Sequence, residues 1–156
     1  MSEAVVRARF EIAHDADTLW RVIAAFTTAP WMQGVESVDE CVHDGRVARA
    51  LNLGADAGLP PIIEYLLSVD TENRQLSYGV VRHSLFPLSG YQARLEVTAN
   101  SAGSELSFTG SFEAPEDSEE ARQNRQLLEA AYQMMADGLG QWLDAQSPMS
   151  TAEIRQ

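Results

Sequence analysis

The sequence predicts an α+β fold in which one antiparallel sheet is covered by a long C-terminal helix. Apolar and polar residues alternate with a period of two in several separate segments, and short polar turns divide these segments. The longest stretch of helical periodicity comes last, after residue 116. Strands joined by short turns pair antiparallel, and their apolar face needs a helix to cover it. The 156 residues suit a single domain, assigned to residues 1–147, with a frayed tail over 148–156.

The first strand and two short helices are predicted from the N-terminal part of the chain. Residues 4–12 alternate in polarity, which is typical of a half-buried strand. Either Asp15 or Asp17 is expected to cap the helix that follows. Pro30 suits the first turn of a second helix, which ends at Gly34. Two short helices are therefore expected between the first two strands.

Six more strands and the long helix complete the predicted order. Asp44-Gly45 is a strong signal for a hairpin turn. Asp117 and Glu120 resemble a capping box at the start of the long helix, and Ser147-Pro148 ends it. The six strands are predicted over residues 35–43, 46–53, 62–69, 75–82, 91–97 and 106–112.

The charge and the composition exclude several classes of function. All eleven basic residues are Arg and 23 residues are acidic, so the net charge is −12. This charge opposes binding to nucleic acid or to an anionic membrane surface. Three His and one Cys lack the spacing of metal ligands, and neither a metal nor another cofactor is expected. The absence of a membrane-spanning run or a signal peptide favours a cytoplasmic protein without membrane insertion.

Five stretches of the chain resemble the START/Bet v 1-like (SRPBCC) superfamily, and within it the bacterial polyketide cyclase/dehydrase-like proteins. They are residues 10–23, Trp31 with 34–37, 63–70, 76–91 and 108–112. The resemblance implies a helix-grip fold, in which a curved seven-stranded sheet wraps around the long helix. It also implies an elongated cavity between sheet and helix that binds a hydrophobic or amphipathic small molecule, such as a lipid or a polyketide.

Strand parity and the resemblance together predict the residues that line this cavity. Gly110 and Ala93 face inward, where a filled core would require larger side chains. The alternative for each inward residue is ordinary core packing. The predicted ligand-binding residues are Trp31, Glu64, Leu66, Tyr78, Val80, Leu85, Phe86, Leu88, Tyr91, Ala93, Phe108, Leu128, Tyr132 and Met135.

Glu64 is the principal candidate for chemistry, because it interrupts an otherwise apolar strand. In the related plant abscisic-acid receptors the matching glutamate faces the pocket. Desolvation there would raise the pKa of a carboxyl group, which suits a general acid or base. His83 and Tyr91 are the other catalytic candidates, and the apolar loop around Leu85 to Leu88 resembles a lid over the cavity mouth. The alternative is that Glu64 points to solvent.

An inward Glu64 predicts an apolar stripe on the opposite face of its strand. Tyr65, Leu67 and Val69 would then point outward, which favours a homodimer contact. The abscisic-acid receptors hold the ligand carboxylate with a lysine on the second strand. This chain has Glu36 at about that place and no lysine, so the device is absent.

Three functions are therefore open from the sequence. The leading one is binding of a neutral or weakly basic hydrophobic compound in the cavity. The first alternative is a polyketide cyclase or dehydratase in which Glu64, His83 or a cavity tyrosine transfers protons. The second is a protein-interaction module with a filled cavity. A large cavity with an isolated Glu64 would favour the enzyme, and a filled cavity would favour the interaction module.

Overall fold

A computed structural model describes residues 2–82 and 88–146 as a seven-stranded antiparallel sheet with two α-helices. The strands are β1 (Glu3–Ile12), β2 (Ser37–His43), β3 (Arg46–Asn52), β4 (Ile62–Asp70), β5 (Gln75–Arg82), β6 (Gln92–Asn100) and β7 (Gly103–Glu113). Helix α1 (Ala16–Ala24) follows β1, a 3₁₀ turn (Ala55–Ala57) precedes β4, and α2 (Glu119–Gln146) follows β7. The predicted tail, residues 148–156, lies outside the described residues.

The sheet order is β1-β7-β6-β5-β4-β3-β2, so the first strand pairs with the last. The remaining neighbours are consecutive in sequence, as the predicted short turns require. The sheet is curved, and α2 packs against one face of it, where it contacts β1. At a rise of about 1.5 Å per residue, the 28 residues of α2 extend about 42 Å. The predicted α+β fold and its seven strands are confirmed.

The first predicted helix is confirmed, but the second is wrong. Asp15 is the cap of α1, and its side chain accepts a hydrogen bond from the Thr18 amide at 2.8 Å. After α1 the chain forms isolated turns, such as the bond from the Met32 amide to the Ala29 carbonyl at 3.1 Å. The positive φ of Gly34, 80°, ends this segment after too few residues for a stable helix.

Two other local signals have different outcomes. The Asp44-Gly45 turn is confirmed, because both residues have positive φ, 54° and 76°, as a type I′ hairpin needs. The capping box at Asp117 is wrong by one residue. The hydroxyl of Ser118 accepts the hydrogen bond from the Ala121 amide at 3.1 Å, and α2 begins directly afterwards.

The predicted outer stripe on β4 is interrupted by an irregularity in the pairing. The register with β5 shifts between Leu66 and Ser68, so Ser68 lies opposite Ser77 and Val69 lies opposite the buried Leu76. Val69 therefore faces the side of the sheet opposite to Tyr65. The Tyr65 ring is also partly covered, because it lies over Gly79. The homodimer stays a prediction, but this stripe no longer supports it.

Candidate functional site

An apolar pocket of about 330 Å³ opens between α2, strands β3 and β4, and the loop before β2. This volume lies at the lower end of the range for small-molecule sites. Apart from Gln33 and Glu64, the described residues of its lining are apolar or glycine. They are Met32, Gln33, Gly34, Val35, Leu51, Leu53, Ile62, Glu64, Leu127, Ala130, Ala131, Met134 and Met135.

The helix side of the pocket comes from a second apolar stripe of α2. Leu128 and Tyr132 belong to the predicted stripe and are buried in the core. Leu127 and Met134 lie beside that stripe, seven residues apart on one helix face, and remain 42% and 48% exposed. Large apolar side chains exposed together at a concave surface are typical of a binding site. Methionine adds adaptability, since its unbranched side chain fills irregular shapes.

Glu64 provides the charge in the pocket wall, and it is paired with a buried arginine. Arg49 on β3 lies directly opposite Glu64 on β4. The Nε and Nη2 atoms of Arg49 each lie 2.8 Å from Oε1 of Glu64. The side chains are only 4% and 9% exposed. The predicted inward orientation of Glu64 is correct, but the carboxylate is not isolated.

Arg49 is held by hydrogen bonds and by contacts with aromatic rings. Its Nη1 atom donates a hydrogen bond to the Phe26 carbonyl at 2.9 Å, which connects β3 to the segment that follows α1. The guanidinium also lies 4.0 Å from the centre of the Phe26 ring and 5.6 Å from that of Tyr78. A planar guanidinium suits both kinds of contact, hydrogen bonds in its plane and aromatic rings on its faces. Arg49 therefore fixes the position of the Glu64 carboxylate.

Three tyrosines lie behind this wall, in the core between sheet and helix. The hydroxyl groups of Tyr91 and Tyr132 are 2.5 Å apart and share a hydrogen bond. The Tyr132 ring stacks on Phe108 with centroids 4.4 Å apart, and Tyr78 meets Tyr91 edge-on at 6.5 Å. The predicted need of these hydroxyls for partners is thus met at least partly within the protein.

Burial keeps these phenols protonated. It raises the pKa of Tyr78 and Tyr91 well above the usual value of 10.0, and it also raises the pKa of Tyr132. The negative charge of Glu64 adds to the increase at all three. At neutral pH the tyrosines are hydrogen-bond donors rather than bases.

The space predicted at Gly110 and Ala93 is filled by side chains from other elements. A Cβ atom at Gly110 would collide with the hydroxyl of Tyr132 and press on Val6 and Tyr91. Ala93, opposite Gly110 on β6, is also buried. The small residues thus make room for two tyrosine rings instead of a ligand.

The structure brings two of the predicted ligand-binding residues, Glu64 and Met135, to the pocket. Trp31 is buried beneath α2, where its backbone carbonyl lies against Gly138. Leu85, Phe86 and the catalytic candidate His83 lie outside the described residues, and so does most of the predicted lid. The remaining predicted ligand-binding residues lie in the core or pack against it, and they do not line the pocket. They are Leu66, Tyr78, Val80, Leu88, Tyr91, Ala93, Phe108, Leu128 and Tyr132.

Arg49 is the residue that sequence reasoning missed. It shares the parity of Val47 and Leu51, so it interrupts an apolar strand face as Glu64 does. Two opposite charges that interrupt neighbouring strands of one hairpin are candidates for a cross-strand pair. The loop of residues 53–61 between the two strands leaves their register open, so this pairing cannot be found from either strand alone.

Two general findings limit other kinds of site. Among residues 2–82 and 88–146, no group of three or more His, Cys, Asp or Glu side chains is placed to hold a metal ion. Neither helix of this part of the chain combines the length and the apolar character needed to cross a bilayer.

The fold and the pocket define a protein of the helix-grip class, in which a curved antiparallel sheet and a C-terminal helix enclose an apolar site. The model of a family described as polyketide cyclase / dehydrase and lipid transport matches residues 3–141. The chain therefore belongs to this family, and the resemblance identified from the sequence is confirmed.

Solved structures agree on the fold. The protein XoxI from Bacillus cereus has a TM-score of 0.69 at 22% identity, covering 94% of this chain and 99% of that one. A putative uncharacterised protein from Bacillus thuringiensis has a TM-score of 0.68 at 20% identity, covering 90% and 97%. A protein from Thermobifida fusca has a TM-score of 0.69 at 20% identity, covering 88% and 93%. Such identities show the fold alone, and no curated protein matches the sequence.

Proposed function

We propose that this protein binds a hydrophobic or amphipathic small molecule in the pocket between α2 and strands β3 and β4. The observation that carries the proposal is the composition of the wall, which is apolar except for Gln33 and the fixed carboxylate of Glu64. Sites for small molecules combine such apolar walls with a few polar groups that orient the ligand. The family description, which includes lipid transport, supports the same class of ligand.

The test is displacement of a fluorescent apolar probe from the purified protein, compared between two matched variants of α2. Ala130→Phe places a large ring in the pocket lining, whereas Ala145→Phe places the same ring at an exposed position outside it. We expect Ala130→Phe to weaken probe binding at least tenfold and Ala145→Phe to leave it unchanged. Equal binding by the two variants, both folded by circular dichroism, would refute the location of the site.

Cyclisation or dehydration of a polyketide is the second candidate, and the carboxylate on the wall favours it. A proton-transfer group must come within about 2.6–3.2 Å of its substrate, and Glu64 is the titratable side chain among the described lining residues. The tight pairing with Arg49 argues for a role in orienting the ligand instead. Glu64→Gln separates the two: a catalytic role predicts loss of turnover with binding retained.

A further inference from the structure

We propose that the pocket selects amphiphiles whose polar head donates a hydrogen bond and carries no negative charge, and that Glu64 accepts this bond. The inference rests on the proposed function, since it names the ligand class of the same pocket. Long-chain amines and alcohols have such heads, whereas fatty acids do not.

The pocket presents a negative charge to a ligand. Glu64 is the charged residue among the described lining residues, and Gln33 is the other one with a polar side chain. The guanidinium of Arg49 is not part of the lining, and it lies 4.0 Å from the centre of the Phe26 ring. A ligand that enters the pocket therefore meets the negative member of the ion pair and not the positive one.

Arg49 is held by partners within the protein. Its Nε atom donates a hydrogen bond to Glu64, its Nη2 atom makes an ion-pair contact with the same carboxylate oxygen, and its Nη1 atom donates a hydrogen bond to the Phe26 carbonyl. Since Arg49 does not line the pocket, it could meet an anionic head only if its guanidinium moved off the Phe26 ring and out of these contacts. Its contacts to Glu64 both go to Oε1, and a carboxylate has further acceptor sites on its second oxygen.

The surroundings of the Glu64 carboxylate in the pocket have low polarity. Ile62 and Leu51, also in the lining, are neighbours of Glu64 and Arg49 along the same strand faces. In apolar surroundings a hydrogen bond to a carboxylate is stronger than in water, and repulsion between two negative charges is stronger too. The net charge of −12 acts in the same direction.

The experiment compares three probes of equal chain length: decylamine, decanol and decanoate. Their affinities for the intact protein are measured by calorimetry, below the concentration at which each probe aggregates. We expect decylamine and decanol to bind at least tenfold more tightly than decanoate. Glu64→Gln should reduce this preference, whereas Glu129→Gln, which removes an exposed carboxylate of α2 outside the pocket lining, should retain it.

A second variant tests the same inference if Glu64→Gln folds poorly. Arg49→Met/Glu64→Leu removes both charges together, and replacing a buried pair by apolar residues is usually tolerated. We expect it to bind all three probes without preference for the donor heads. The comparison of probes on the unmodified protein needs no variant at all.

The outcomes distinguish this inference from the proposed function. Decanoate binding as tightly as decylamine would overturn the head-group inference and leave the apolar pocket intact as a site. Binding of none of the three would overturn both. A groove covered by a second copy of the chain would also overturn both, and would appear as a dimer that Met134→Glu converts to monomers.

Discussion

Replacing Arg49 by Met should destabilise the protein severely, because it leaves the Glu64 carboxylate buried without its partner. The side chain of Glu64 is only 9% exposed, and it receives both of its short contacts from Arg49. Breaking a buried ion pair by removal of one member costs about 3–5 kcal/mol. The Phe26 carbonyl also loses its donor.

A surface ion pair of nearly equal length provides the control. Arg74 and Asp17 lie 2.9 Å apart, but their side chains are 30% and 75% exposed. Solvent screens such a pair, so Arg74→Met should cost only about 0–1 kcal/mol. The two Arg→Met substitutions therefore compare burial, with the chemistry and the distance nearly constant.

Urea unfolding followed by far-ultraviolet circular dichroism measures both variants. With a slope of about 2 kcal/mol per molar urea, Arg49→Met should lower the midpoint by about 1.5–2.5 M, and Arg74→Met by less than about 0.5 M. The double variant Arg49→Met/Glu64→Leu should recover most of the lost free energy of unfolding, because neither charge is then left alone.

Two results would refute this reasoning. Equal costs for Arg49→Met and Arg74→Met would show that burial does not strengthen the pair. The double variant could also lose as much free energy of unfolding as Arg49→Met and Glu64→Leu lose together. That result would show that Arg49 and Glu64 are not coupled.

Two further predictions concern the glycines of α2 and the buried tyrosines. Gly140→Ala should raise the midpoint of thermal unfolding, because the added Cβ meets open space and alanine favours a helix by about 1 kcal/mol over glycine. Gly138→Ala should lower this midpoint, because the added Cβ would clash with the backbone carbonyl of Trp31. Calorimetry of the two variants tests this, and an equal rise in both would contradict it. Tyr78, Tyr91 and Tyr132 have raised pKa values in the folded protein, so unfolding above pH 10 releases protons from their phenols. The contribution of these groups to the free energy of unfolding is complete below pH 10 and is lost as the pH rises further. The loss is about 1.4 kcal/mol per pH unit for each phenol. Urea unfolding at pH 9 to 11 measures the slope, and a flat profile would refute it.

The structure supports the three functions considered from the sequence to different degrees. The centre between sheet and helix is packed with aromatic side chains, as an interaction module would require. An apolar pocket nevertheless remains at the β3–β4 side of α2, as a carrier or sensor would require. Glu64 reaches that pocket with a partner, which the cyclase hypothesis did not anticipate. The proposed binding of a small molecule accounts for both the pocket and its fixed carboxylate.

The sequence by itself determined the strands, the main helices and the sharpest turns. Period-two alternation, the Asp44-Gly45 turn and the Asp15 cap depend on neighbouring residues, so they can be identified without tertiary structure. The short helix after Pro30 failed because a few residues before Gly34 cannot sustain a helix without tertiary support.

Only the tertiary structure decided which inward residues line a pocket and which fill the core. Parity shows the face of a side chain, but the space in front of it depends on side chains that arrive from distant elements. Tyr132 fills the place left free at Gly110, 22 residues earlier in the chain, so the predicted centre of the cavity is closed. Arg49 meets Glu64 across two strands, and that contact converts a lone carboxylate into an oriented one. Packing between elements that are remote in sequence therefore determined the site, whereas local chemistry determined the fold.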